Sequence, residues 1–106
     1  MIRARCGRNR LVMGGHAGYG EYGKDIVCAA ASALVYALAE VLRETGRLAE
    51  AVMEPGRAEV TGRGECCREF ALVRCGLEML ARQYPESVEL GRDLPREGGS
   101  EWTSGR

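Results

Sequence analysis

Lysine is almost absent from this sequence: 14 of its 15 basic residues are arginine, leaving Lys24 alone. Guanidinium chemistry gives no reason to keep lysine off solvated faces, so the bias reads as coding preference and carries no functional information. Net charge is missing as well, because 15 acidic residues balance the 15 basic ones. The molecule as a whole therefore presents no strong field to draw it onto nucleic acid or an anionic membrane. The chain also lacks the length for two domains. At 106 residues, 45% hydrophobic and 28% charged, it fits one soluble domain that can bury a core without disulfides or structural metal.

Cysteine is present, but in no pattern that staples a fold. Cys6, Cys28, Cys66, Cys67 and Cys75 are an odd set without C-x-x-C spacing, which indicates neither a disulfide framework nor a zinc site and leaves reduced thiols as the expectation. Cys66, Cys67 and Cys75, read together as a possible thiol cluster, match no tetrahedral pattern and are expected to be core residues. No apolar run reaches the roughly 20 residues of a membrane span. The longest, residues 26–42, is interrupted by Ser32, Tyr36 and Glu40 and is rich in alanine, the composition of a buried helix. Arg3, Arg5, Arg8 and Arg10 precede any apolar stretch and no cleavage site follows, so a cytoplasmic protein is expected. These arginines read as the outer face of an edge strand that discourages aggregation, in preference to a grip on RNA or on an acidic partner. No internal repeat is evident.

Local patterns predict seven elements. Ile2, Ala4 and Cys6 alternate with arginines, and after turn residues 7–10 come Leu11, Val12 and Met13, together a β-hairpin. Five glycines (Gly14, Gly15, Gly18, Gly20, Gly23) fall within residues 14–23, which predicts a mobile loop. Asp25 stands where a helix N-cap belongs, and the helix it opens should run to about Glu44, ended by Thr45 and Gly46. Residues 48–54 and 57–61 flank Pro55 and Gly56, a pair suited to the centre of a type II turn, so a second hairpin is expected, although 48–53 also fit a helix.

From Cys66 the apolar positions Phe70, Val73, Leu77, Leu80 and Tyr84 step by three and four, an amphipathic helix closed by Pro85. Val88 and Leu90 form a short last strand. The order is ββαββαβ, and the expected fold is α+β, with two helices packed on one face of a mixed sheet. Residues 1–90 form the domain. The remainder, 91–106, has no periodicity and is expected to be a disordered tail.

The chemistry centres on the single histidine, His16, and on Cys28 twelve residues later. A thiol in the first turn of a helix meets unpaired backbone N–H groups and the positive end of the dipole, which favour the thiolate. His16 is placed to take the thiol proton and return it to a leaving amine, and the N–H groups at Cys28 and its neighbours are candidates for binding an oxyanion. Asp25 opposes a negative sulfur three residues away unless it caps the helix or holds the imidazolium. A cysteine among alanines equally fits plain packing, and Ser32, one turn beyond, fits a hydroxyl bonded back to its own helix.

The string GHAGYGEYGKDIVCAAASAL, residues 15–34, closely resembles the signature of the bacterial ribosomal-processing cysteine proteases, the Prp family, in which G-H-A and D-I-V-C-A bracket a glycine-rich loop. The elements over residues 1–90, including the Gln-Tyr end of the second helix, fall where that family's elements fall. The departures are a short turn at 7–10, Ala31 where a larger residue is common, and the tail.

The resemblance implies Cys28 as nucleophile and His16 as its proton partner, with Asp25 and Ser32 in supporting roles, and it implies no metal and no cofactor. It further implies a homodimeric cytoplasmic thiol endopeptidase. The implied substrate is the precursor of large-subunit ribosomal protein twenty-seven, whose N-terminal extension ends in an apolar-aromatic stretch before a small residue. Neither nucleic acid nor a membrane is required. Two alternatives stand beside it: a phage or prophage relative that processes a capsid or scaffold protein, and a non-catalytic dimeric binding module with a structural Cys28.

Overall fold

The structure, a computed structural model, describes residues 1–16, 18 and 25–91. Gly20 and Gly23 of the expected loop, and residues 92–106 of the expected tail, lie outside them. Seven elements follow the predicted order: β1 (Ile2–Cys6), β2 (Arg10–Gly14), α1 (Ile26–Glu44), β3 (Leu48–Glu54), β4 (Arg57–Gly62), α2 (Cys67–Gln83) and β5 (Val88–Leu90). Residues 48–53 are strand, which settles the open alternative. Gly14, assigned from sequence to the loop, instead ends β2, opposite Arg3 of β1 and Arg57 of β4.

The five strands form one mixed sheet in the order β3-β4-β2-β1-β5. Only β1 and β5 run parallel, with Ile2 opposite Val88 and Ala4 opposite Leu90. The N–H of Gly91 continues this pairing by donating to the carbonyl of Ala4 at 2.8 Å. The lateral order corrects one expectation, since the edges of the sheet are β3 and β5 while β1 lies inside. Arg3 and Arg5 therefore do not guard an edge. They belong to a charged outer face, where Arg3 pairs with Glu89 at 3.1 Å and Arg10 with Glu59 at 3.5 Å. Val12 lies on this face, and its register neighbours are Arg5 and Glu59. It is nonetheless buried, an arrangement that long side chains achieve by laying their stems across an apolar neighbour.

The other face carries the core. Ile2, Ala4, Cys6, Leu11, Ala58, Val60 and Val88 point at Val27, Ala31, Val35, Leu38 and Leu42 of α1 and at Phe70, Val73 and Leu77 of α2. Both helices thus lie on one face, and a stripe at three- and four-residue steps on each supplies the contact. Burying Phe70 alone contributes roughly 2–3 kcal/mol of apolar transfer.

Local chemistry explains where α1 starts and stops. The Asp25 carboxylate accepts the N–H groups of Val27 and Cys28, both at 3.0 Å. At the other end Gly46 adopts φ +75°. Its N–H reaches the Arg43 carbonyl at 3.2 Å while that of Arg47 reaches Leu42 at 2.8 Å, the paired bonds of a Schellman stop. By length and composition α1 is, among the described residues, long and apolar enough to cross a membrane; its buried stripe makes it the core helix of this domain.

Candidate active site

A surface cleft of about 640 Å³ opens where three parts of the chain converge, a size suited to a ligand or a few side chains of a peptide. The first turns of α1 contribute Asp25, Cys28, Ala29 and Ser32. The end of β2 and the residues after it contribute Met13, Gly14, Gly15, His16 and Gly18. The β3–β4 turn and its flanks contribute Met53, Glu54, Pro55, Gly56, Arg57 and Ala58, and Ile2, Val35 and Tyr36 complete the wall. Every expected site residue within the described part of the chain therefore faces one cleft, although Cys28 is carried by α1 and His16 by the segment after β2.

The five thiols separate cleanly by surroundings. Cys28 is half-buried and lines the cleft. Cys6 is buried, with its thiol 3.6 Å from the Phe70 carbonyl. Cys66 is buried too and donates to Asn9 Oδ1 at 3.3 Å. Burial, with Glu69 nearby as a smaller contribution, pushes the Cys66 thiol above its ordinary value, so it is held in the unreactive form. Cys67 is half-buried. Cys75 is exposed, which corrects its expected place in the core: it falls on the far side of α2 from the Phe70, Val73, Leu77 stripe.

Asp25 is only 8% exposed, and its carboxylate is engaged as the helix cap. That engagement is the capping role, one of the two expected for a carboxylate at this position. It also corrects another expectation: the Cys28 N–H, considered as an oxyanion donor, already points at Asp25. Ser32 lies one turn beyond Cys28 on the cleft wall.

Gly15 and Gly18 have φ of +91° and +70°, in the region that favours glycine. A side chain on Gly15 would overlap the carbonyl of Met1, and the Gly15 N–H donates to the Gly56 carbonyl at 2.9 Å. The Pro55-Gly56 turn is a part of the site that sequence reasoning missed. Its turn chemistry was legible, but nothing local to it signals that it folds against His16. Among the described residues no group of three or more His, Cys, Asp or Glu stands close enough to hold a metal ion.

A small α+β domain with a helix-borne thiol and an imidazole on one cleft has the layout of a thiol hydrolase. The chain belongs to the family described as cysteine protease Prp, whose match spans residues 1–89, and it is a cysteine protease. Solved structures agree in fold. The Staphylococcus aureus ribosomal processing protease Prp, in complex with a covalently linked product peptide, is 23% identical and superposes with a TM-score of 0.77, over 88% of this chain and 100% of that one. The same protease with a substrate peptide gives 22% identity and a TM-score of 0.72 over the same shares. The Streptococcus mutans protein SMU.848 is 28% identical with a TM-score of 0.68, over 88% of this chain and 94% of that one. Comparison with curated protein sequences gave no match.

Proposed function

We propose that Cys28 and His16 are the catalytic pair of an endopeptidase that trims the N-terminal extension from the precursor of large-subunit ribosomal protein twenty-seven. The observation that carries this reading is that Cys28, alone among the cysteines, lines the cleft that also receives His16. The S. aureus relative, a ribosomal processing protease solved with a covalently linked product peptide, supports both the covalent route and the substrate class.

The chemistry runs in two halves. His16 takes the Sγ proton as sulfur attacks the scissile carbonyl, and the imidazolium then gives that proton to the departing amine, leaving a thioester on Cys28. Water, deprotonated by His16, attacks the thioester, and the thiolate leaves to be reprotonated. Asp25 holds the first turn of α1 in place beneath the thiol, and Ser32 borders the substrate path.

The cleft offers apolar walls in Met13, Val35, Tyr36, Met53 and Ala58, which suits an apolar-aromatic stretch of peptide. We place the enzyme in the cytoplasm, where its thiols stay reduced and its substrate is made. A homodimer is part of the same proposal, supported by large apolar side chains left exposed on the helices, among them Ile26, Tyr36, Leu72 and Met79.

A peptide spanning the end of the extension should be cleaved, and the same peptide with its aromatics replaced by alanine should be cut about ten- to a hundredfold less efficiently. That is the consequence of forfeiting roughly 1.5–3 kcal/mol of burial in the transition state. Equal cleavage of both peptides would leave a general thiol hydrolase. Refusal of both by a protein that cuts other peptides would move the substrate towards phage capsid or scaffold proteins.

A further inference from the structure

The turn that joins β3 to β4 reaches across to the segment carrying the histidine. Glu54, Pro55, Gly56 and Arg57 make this turn, with Gly56 at φ +78°, as the third position of a type II turn requires. Two contacts run from it to the end of β2. The Gly56 carbonyl accepts the N–H of Gly15, the residue before His16, at 2.9 Å. The second contact is with the ring itself: a Cβ built on Gly56 would stand 3.1 Å from His16 Nε2, 3.5 Å from Cε1 and 3.8 Å from Cδ2. The edge of the imidazole that carries Nε2 thus lies directly over the bare Cα of Gly56. On the opposite side, Gly15 fits only because it has no side chain to meet the Met1 carbonyl.

We infer that Gly56 is a positioning residue: the β3–β4 turn is the seat of the His16 imidazole and sets where its Nε2 can stand relative to the cleft. This rests on the reading of His16 as the proton partner of Cys28. The seat acts through two features of one residue. Its left-handed backbone aims a carbonyl at Gly15, and its missing side chain leaves room for the Nε2 edge of the ring. Any side chain at position 56 must push the ring by a few tenths of an ångström, since 3.1 Å is tighter than nine in ten real Cβ contacts. Proton transfer demands hydrogen-bond geometry to a fraction of an ångström, so the chemical step should suffer more than peptide binding.

A matched pair of variants isolates the effect. Gly46 has nearly the same backbone, φ +75°, with no atom within 4 Å of where a Cβ would stand, and asparagine tolerates that conformation. Gly56→Asn should lower kcat on the order of ten- to a hundredfold with KM changed less than about twofold. Gly46→Asn should leave both unchanged. His16 is the only histidine in the chain, so its ring resonances are unambiguous: they should show nuclear Overhauser contacts to the Gly56 α-protons in the unmodified protein and should shift in Gly56→Asn but not in Gly46→Asn. If Gly56→Asn fails to fold, the contacts in the unmodified protein decide alone. Absence of those contacts, or a Gly56→Asn enzyme with unaltered kcat or with only KM raised, would overturn the seat. Full turnover by His16→Ala would instead refute the underlying catalytic pair while leaving the contact in place.

Discussion

The Asp25 carboxylate accepts the backbone N–H of Cys28 at 3.0 Å, so the residue that starts α1 also fixes the backbone that carries the thiol. Helix initiation and placement of the sulfur are one event here. Removing the acceptor should cost stability as well as activity: Asp25→Ala is expected to lose about 1–2 kcal/mol in urea unfolding, the usual worth of such a cap. Asp25→Asn, which keeps an oxygen in the same place, should lose less than half of that. An Asp25→Ala protein as stable as the parent would contradict the capping role.

Gly62, on the helix-covered face of the sheet, provides a test of how α2 packs on β4. A side chain there would collide with the Cys66 sulfur and stand 3.0 Å from the Phe70 ring. Its backbone is not left-handed, so the effect of Gly62→Ala is steric. A loss of about 1–3 kcal/mol is expected, and a neutral substitution would mean that α2 sits further from β4 than described.

Cys66 should give the fold an alkaline weakness. Its thiol is held above the ordinary value in the folded chain, first by burial, so above about pH 8.5 the unfolded chain ionises this group while the folded chain still holds its proton. The unfolded state then binds fewer protons, and stability must fall as pH rises. Unfolding curves across pH 7–10 should show this decline, and Cys66→Ala should flatten it. An unchanged slope in that variant would show that another group is responsible.

Deleting residues 92–106 should move the melting temperature by less than about 4 °C, the equivalent of about 1 kcal/mol for a domain of this size, and leave peptide cleavage intact. The family match ends at residue 89. A larger drop would mean that Trp102 packs on the domain.

Much of this architecture was legible because it is local. The Asp25 cap, the Gly46 stop, the Pro55-Gly56 turn and the two helical stripes each depend on residues within a few positions of one another. Lateral strand order does not. The parallel pairing of Ile2 with Val88 joins the two ends of the domain, and without it β1 looks like an edge. Cys75 departs from expectation for a different reason: cysteine tends to be buried, but this one stands two residues past Val73 and so on the opposite side of α2. His16 and Cys28 were found as a pair through their motif, whereas the meeting of His16 with Gly56 arises from two segments forty residues apart that only the sheet brings together.

The most direct test of the catalytic pair is turnover of the extension peptide by Cys28→Ala, measured beside the parent on protein shown to be folded. Alanine suits that helical position at least as well as cysteine, so the variant should keep its melting temperature while losing cleavage by a factor on the order of a thousand or more. His16→Ala should match it. A folded Cys28→Ala protein that still cuts the peptide at near the parent rate would contradict the account.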